Sequence, residues 1–206
     1  MKLLVATRSA GKAREIRSLL AGLPFEVLFP EDRLLERRPE EDDLEHGGTY
    51  AENAVLKARY FAERGGLATV ADDSGIEVDA LGGEPGVHSA RWAGAGARDA
   101  DQDARNNAKL VAALRDVPEE RRTARYRCVV AYLDRVDGTP EIVEATCEGR
   151  VALEPRGSGG FGYDPYIFSP ELGMTFGEAA PAAKARVSHR GRAFRALAEM
   201  LLRRGL

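Results

Sequence analysis

The sequence predicts an α/β fold of three layers around a mixed β-sheet. Three observations carry that expectation. Short apolar runs alternate with amphipathic helical patterns through the first half of the chain. Two long β-patterned stretches, 124–134 and 141–151, then flank a turn signal at Asp137-Gly138, as an antiparallel hairpin does. Parallel β/α alternation followed by a hairpin calls for both strand directions in one sheet.

Each element has its own local reason. Residues 2–6 (KLLVA) form a short buried strand. Residues 12–22 form a helix with Ile16, Leu19 and Leu20 on one face and Gly22 as its stop. Residues 25–29 (FEVLF) make a second strand, ended by Pro30. The strongly acidic segment 31–48 reads as a mobile loop. Thr49 and Glu52 give the T-x-x-E pattern of a capping box, which opens a helix that runs to about Arg64 and stops at Gly65-Gly66. A strand over 67–72, an acidic turn and a short strand over 75–80 follow. A glycine-rich loop (82–86) leads to a polar helix over 99–115 with Leu110, Val111 and Leu114 inward. After the hairpin, a second glycine-rich loop spans 155–165. The last helix, from about Ser188 to Arg204, carries Phe194, Leu197, Ala198, Leu201 and Leu202 on one stripe.

Composition bounds the function. The chain has 206 residues, 44% of them hydrophobic and 31% charged, which is ordinary for a globular protein. At this size about 70% of the unfolded surface can be buried without a disulfide. No apolar run approaches the ~20 residues of a membrane-spanning helix, and the apolar stretch near Met1 is too short for a signal peptide. The expectation is a soluble, cytoplasmic protein with no membrane partner. A net charge of −3 disfavours a general nucleic-acid binder. Cys128 and Cys147 lack metal-ligand spacing and read as reduced apolar thiols facing each other across the hairpin.

Four stretches could carry chemistry. In "ATRSAGK" (6–12) a strand ends in a polar turn and Lys12 opens a helix. Free N–H groups and the helix dipole favour phosphate there, and a phosphate would also relieve the lysine's unfavourable position. This is not a Walker A loop, because Ala13 rather than Ser or Thr follows Lys12 and Ala6 stands where the first glycine should be. An ordinary strand–helix turn with a surface lysine also fits. In "ADDSG" (71–75) two adjacent carboxylates end an apolar run. On a strand they point to opposite sides, so one faces a site and the other braces the structure. A divalent cation is the simplest account of the first. A solvated Asp-Asp-Ser-Gly turn uses the same residues.

In "PRGSGGFGYDP" (155–165) the formal G-x-G-x-x-G match lacks the helix a dinucleotide site needs, since Pro165 follows at once. The better reading is a loop presenting Phe161 and Tyr163 to a flat ligand, with Asp164 accepting from a base N–H. Core aromatics in a plain loop are the alternative. Aromatic stacking on a nucleobase contributes roughly 1–3 kcal/mol. In "KARVSHRG" (184–191) Lys184, Arg186, His189 and Arg190 crowd a helix start, where an anion or a purine carbonyl would suit them. A solvated basic helix start is the plain alternative. Together the four parts describe a nucleoside triphosphate site.

At these residues the chain resembles the inosine triphosphate pyrophosphatase family, from residue 3 to about 200. The matching blocks are "ATRSAGK", "GGTYAENAVLKAR", "ADDSGIEVDALGGEPGVHSAR", "GSGGFGYDP" and "SHRGRAF", in the family's order. The resemblance implies hydrolysis of deaminated purine triphosphates (dITP, ITP, XTP) to monophosphate and pyrophosphate, with Mg²⁺. It implies that Thr7, Arg8, Ser9, Ala10, Gly11 and Lys12 bind phosphates. Asp73 would be the catalytic carboxylate and a metal ligand, with Glu45 as its metal partner. Ser74 would touch substrate. Phe161, Gly162, Tyr163 and Asp164 would hold the base, completed by Lys184, His189 and Arg190. Family members usually form homodimers. The first block has Ser9 where the family commonly has Asn.

The expectation is therefore a single domain, 1–206, with an elongated mixed sheet, two lobes and a substrate cleft between them. Water would attack the α-phosphorus, with the triphosphate held by Lys12 and the "SHR" segment. Arg190 is assigned the 6-oxo contact that separates hypoxanthine and xanthine from adenine. One unpaired buried polar group costs about 1–3 kcal/mol, roughly 5- to 150-fold, so several contacts must cooperate. A pyrophosphatase for modified pyrimidine nucleotides and a non-catalytic nucleotide-binding module are the competing readings.

Overall fold

The computed structural model describes residues 1–94 and 101–205. Seven strands form one mixed sheet: β1 (Lys2–Val5), β2 (Glu26–Leu28), β3 (Thr69–Val78), β4 (Thr123–Leu133), β5 (Glu141–Val151), β6 (Ile167–Ser169) and β7 (Met174–Thr175). Their order is β2-β1-β3-β4-β5-β6-β7. β1 is parallel to β2 and β3, whereas β6 is antiparallel to β5 and β7. Among the described residues, five α-helices accompany them: α1 (Ala10–Leu19), α2 (Tyr50–Gly65), α3 (Gln102–Leu114), α4 (Pro181–Val187) and α5 (His189–Arg203). No helix among the described residues is long and apolar enough to cross a membrane. The predicted start of α3 at 99 and 100 lies outside the described residues.

The chain divides into two compact units. The first comprises Met1–Asp73, Cys128–Ala145 and the segment from Arg190 onward. Its layers follow from the two-residue period of a strand. On one face Leu3, Val5, Val70, Cys128, Val130 and Tyr132 pack on Ile16 of α1 and Phe194, Leu197 and Leu201 of α5. On the other, Leu4, Ala6, Ala71, Ala131 and Leu133 pack on Ala54, Ala58, Phe61 and Ala62 of α2. The expected three layers are present here. Leu202 is the exception to the predicted α5 stripe, at 42% exposed.

The second unit comprises Ser74–Arg127 and Thr146–His189. One sheet face, with Ile76, Val78, Tyr126, Cys147 and Val151, packs on Leu110 and Leu114 of α3. The alternate positions are charged. Arg125 pairs with Asp79 and Glu148, and Arg127 with Glu77. Val111, expected inward on α3, is only partly buried, while Asn106 and Asn107 are buried.

Several sequence expectations change. The acidic segment is not a featureless loop; it holds short 3-10 turns at Glu31–Arg33 and Pro39–Glu45. Opposite charge ties it down, because Glu41 accepts from Arg8 (2.9 Å) and from Arg64 (2.8 Å). The two short strands around Asp72-Asp73 are one continuous strand. Turn-favouring residues stay extended there because their side chains find partners on both sheet faces, as described below. The connection between β4 and β5 spans 134–140. Cys128 and Cys147, both buried free thiols, belong to the cores of different units. The Thr49–Glu52 capping box forms as expected, with reciprocal bonds of 3.2 and 3.0 Å.

Candidate functional site

Within the first unit, the turn after β1 is organised by short polar side chains. Thr7 Oγ1 accepts from the Ser9 N–H at 3.2 Å. Ser9 is the N-cap of α1 and accepts from the Lys12 N–H at 3.4 Å. Serine and asparagine both serve as N-caps. Ala10, Gly11 and Lys12 therefore make the first helical turn. Lys12 Nζ lies 3.0 Å from Asp72 Oδ2, and that carboxylate relieves the strain of a cation at the helix start. Arg8, predicted beside it for phosphate, is committed elsewhere: it grips Glu41, donates to Leu35 O at 2.7 Å and lies 5.4 Å over the Phe61 ring.

The adjacent aspartates serve opposite sheet faces. Asp72 lies on the α1/α5 face, where Arg190 donates to its Oδ2 at 3.2 and 3.3 Å. Arg190 also donates to Glu15 Oε2 at 2.6 Å and is 2% exposed. Burial opposes ionisation of Asp72, but Lys12, Arg190 and Lys57 outweigh it and hold the carboxyl below the usual range. The buried Cys128 thiol sits 4.0 Å from Asp72 Oδ2. Desolvation, reinforced by that carboxylate, pushes it up to about 12.

Asp73 lies on the α2 face. Lys57 donates to its Oδ1 at 3.2 Å and Asn53 to its Oδ2 at 2.9 Å. Lys57 also reaches Glu45 Oε1 at 2.9 Å, so the two predicted metal carboxylates meet on one ammonium. Burial disfavours that charge, but Asp73, Glu45 and Asp72 together raise the Lys57 pKa above its ordinary value. The charge that keeps two carboxylates at a buried strand is thus supplied by the protein's own lysines and arginine. No group of three or more His, Cys, Asp or Glu among the described residues is placed to hold a metal. Two hard carboxylates converging on a cation fit Mg²⁺, which takes its remaining ligands from water and phosphate.

Within the second unit, Asp164 organises the glycine-rich loop. It is 3% exposed and accepts from the Phe161 N–H (2.8 Å), from Tyr126 OH (3.3 Å) and from Lys184 Nζ. Lys184 also stands 5.0 Å over the Phe161 ring. Gly162, at φ +63, is held at both backbone groups, by Asp103 Oδ2 (2.8 Å) and Asn107 Nδ2 (3.0 Å). Phe161, Gly162, Asp103 and Asn107 border a cavity of about 430 Å³. Of the two aromatics expected to face a ligand, Phe161 is partly exposed. Tyr163 instead points into the core and donates to Ser89 O at 2.8 Å, because its ring completes the apolar cluster. His189 stacks on Tyr126 with centroids 4.6 Å apart. Ser74, the first residue of this unit, is partly exposed on β3.

Sequence reasoning missed Lys57, Asn53 and Glu15, and the Asp103–Asn107 pair. A signal existed for the first two. Asn53 and Lys57 lie four residues apart on the α2 face that also carries Ala54, Ala58 and Phe61, so a polar pair interrupts a buried stripe.

The chain is 50% identical to a dITP/XTP pyrophosphatase of Thioalkalivibrio sulfidiphilus over 98% of both chains. It is 48% identical to one of Geobacillus kaustophilus, over 96% of this chain and 93% of that protein. Its structure resembles a HAM1 protein from Coxiella burnetii at a TM-score of 0.84 and 34% identity, covering 98% and 99% of the two chains. The Ham1 family model matches residues 3–200, and with these relatives it establishes that the chain belongs to the Ham1 family.

Proposed function

We propose that this chain is a hydrolase that cleaves non-standard purine nucleoside triphosphates (dITP, ITP and XTP) to the monophosphate and pyrophosphate, cleansing the nucleotide pool. One observation carries the reading: Glu45 and Asp73 meet on one cation in a chain 50% identical to a dITP/XTP pyrophosphatase.

Residues 1–206 act as one catalytic domain. The Thr7–Lys12 turn binds phosphate, with Lys12 and the helix N-terminus as its positive groups. Asp73 orients a water and takes its proton as the oxygen attacks the α-phosphorus. The anhydride bond breaks and pyrophosphate leaves. Mg²⁺, held by Glu45 and Asp73, would withdraw charge from the polyphosphate. Ser74 contacts substrate. Phe161 stacks on the base, and Gly162, Tyr163, Asp164, Lys184 and His189 shape its surroundings. Arg190 is assigned the 6-oxo group. The family likeness supports a homodimer, which light scattering tests.

A pyrophosphate-release screen over dITP, XTP, dUTP, ATP and GTP, with and without Mg²⁺, tests the function. Release from dITP and XTP in preference to the rest is expected. Preference for dUTP favours the pyrimidine reading, and binding without release favours a sensor. Asp73→Asn is expected to cut kcat at least ~100-fold with the fold intact, as loss of a general base does. Retention of more than about a tenth of wild-type activity removes Asp73 from that role.

A further inference from the structure

We propose that Asn53 is a positioning residue, whose single amide fixes the Asp73 carboxylate and ties the Glu45 segment to it. The inference rests on the function proposed above.

Asn53 is fully buried, in the second turn of α2. Its Nδ2 donates to Asp73 Oδ2 at 2.9 Å, and its Oδ1 accepts from the Gly47 N–H at 2.7 Å. The amide orientation is forced, because a backbone N–H only donates and a carboxylate only accepts. Both ends are therefore committed, and no other side chain of this size supplies a donor and an acceptor on one rigid plane. Aspartate would set a second carboxylate against Asp73, and alanine would leave both partners unmet.

Gly47 supplies an independent sign that the link is built. A Cβ there would fall 2.6 Å from Asn53 Oδ1 and 2.9 Å from Glu52 Cβ. Only glycine lets this backbone approach so closely. Glu45 lies two residues earlier, so the Gly47 anchor limits where its carboxylate can go. Lys57, one turn further along α2, touches both Glu45 and Asp73. The two α2 side chains divide the task. Lysine supplies charge, whereas asparagine supplies direction without neutralising the carboxylate that must act as base.

Two variants test the link: Asn53→Asp keeps the shape and the acceptor for Gly47 but removes the donor to Asp73, and Asn53→Ala removes both. Pyrophosphate release from dITP gives kcat and KM, amide hydrogen exchange reads Gly47, and electron paramagnetic resonance reads Mn²⁺ binding to the resting protein. Outer partners of metal-binding carboxylates typically carry 10- to 100-fold effects. Asn53→Asp is expected to lose about tenfold or more in kcat with KM little changed and Gly47 still protected. Asn53→Ala is expected to lose Gly47 protection, and its Mn²⁺ affinity should fall about tenfold. A folded Asn53→Asp whose kcat stays within about threefold of wild type overturns the proposal, as does unchanged Gly47 exchange in Asn53→Ala. If the wild-type chain releases no pyrophosphate, the functional reading fails while Gly47 exchange and Mn²⁺ affinity still decide the role of Asn53.

Discussion

Asp72 and Asp73 are neighbours in sequence with separate tasks. One position along an extended strand turns a side chain to the other sheet face, so Asp72 meets Lys12 and Arg190 while Asp73 meets Lys57 and Asn53. That opposition was legible from the strand period alone. The identity of the partners was not, because Lys57 and Arg190 lie 16 and 118 residues from the aspartates they bind. Asp72 is held below the ordinary carboxylate value of about 3.9, so on acidification the unfolded chain takes up its proton first. Its stabilisation is complete above that value and is lost as pH falls through it toward the depressed folded value. Asp72→Asn leaves buried cations facing a neutral group, which costs about 3–5 kcal/mol at neutral pH. Urea titrations followed by circular dichroism should show this gap at pH 7 and its narrowing below about pH 4.

Among the elements, those with strong local signals were readable. The capping box fixed α2 and the apolar stripe fixed α5, whereas α4 escaped although Pro181 stands at its first position, a favoured start. β3 was misread as two strands because Asp-Asp-Ser-Gly favours turns, and only tertiary partners hold it straight. The glycine-rich loop was legible as a loop, but its order comes from Asp164, whose bonds no local pattern announces. Gly160 shows how tight that order is. At φ +74 it already disfavours a side chain, and a Cβ would fall 2.0 Å from Asp164 Oδ2. Gly160→Ala is expected to cost about 1–3 kcal/mol in local strain and to break the Asp164–Phe161 clamp. If the loop holds the base, steady-state kinetics on dITP should show KM rising more than kcat falls.

For the whole molecule, the mixed sheet and the α/β class were legible because alternation and hairpin signals are periodic and local. Two lobes were expected, but the place of the division was not legible, since β3, β4 and β5 each contribute residues to both units. The cysteines follow that division. Cys128 lies in the core of the first unit and Cys147 in that of the second, at 0% and 1% exposure. An alkylating reagent reaches either sulfur only when its own unit opens. Mass-spectrometric labelling under native conditions should therefore give two rates, each a clock for one unit's breathing. A destabilising change confined to the first unit, such as Asp72→Asn, should quicken the Cys128 clock and leave that of Cys147 the slower to respond.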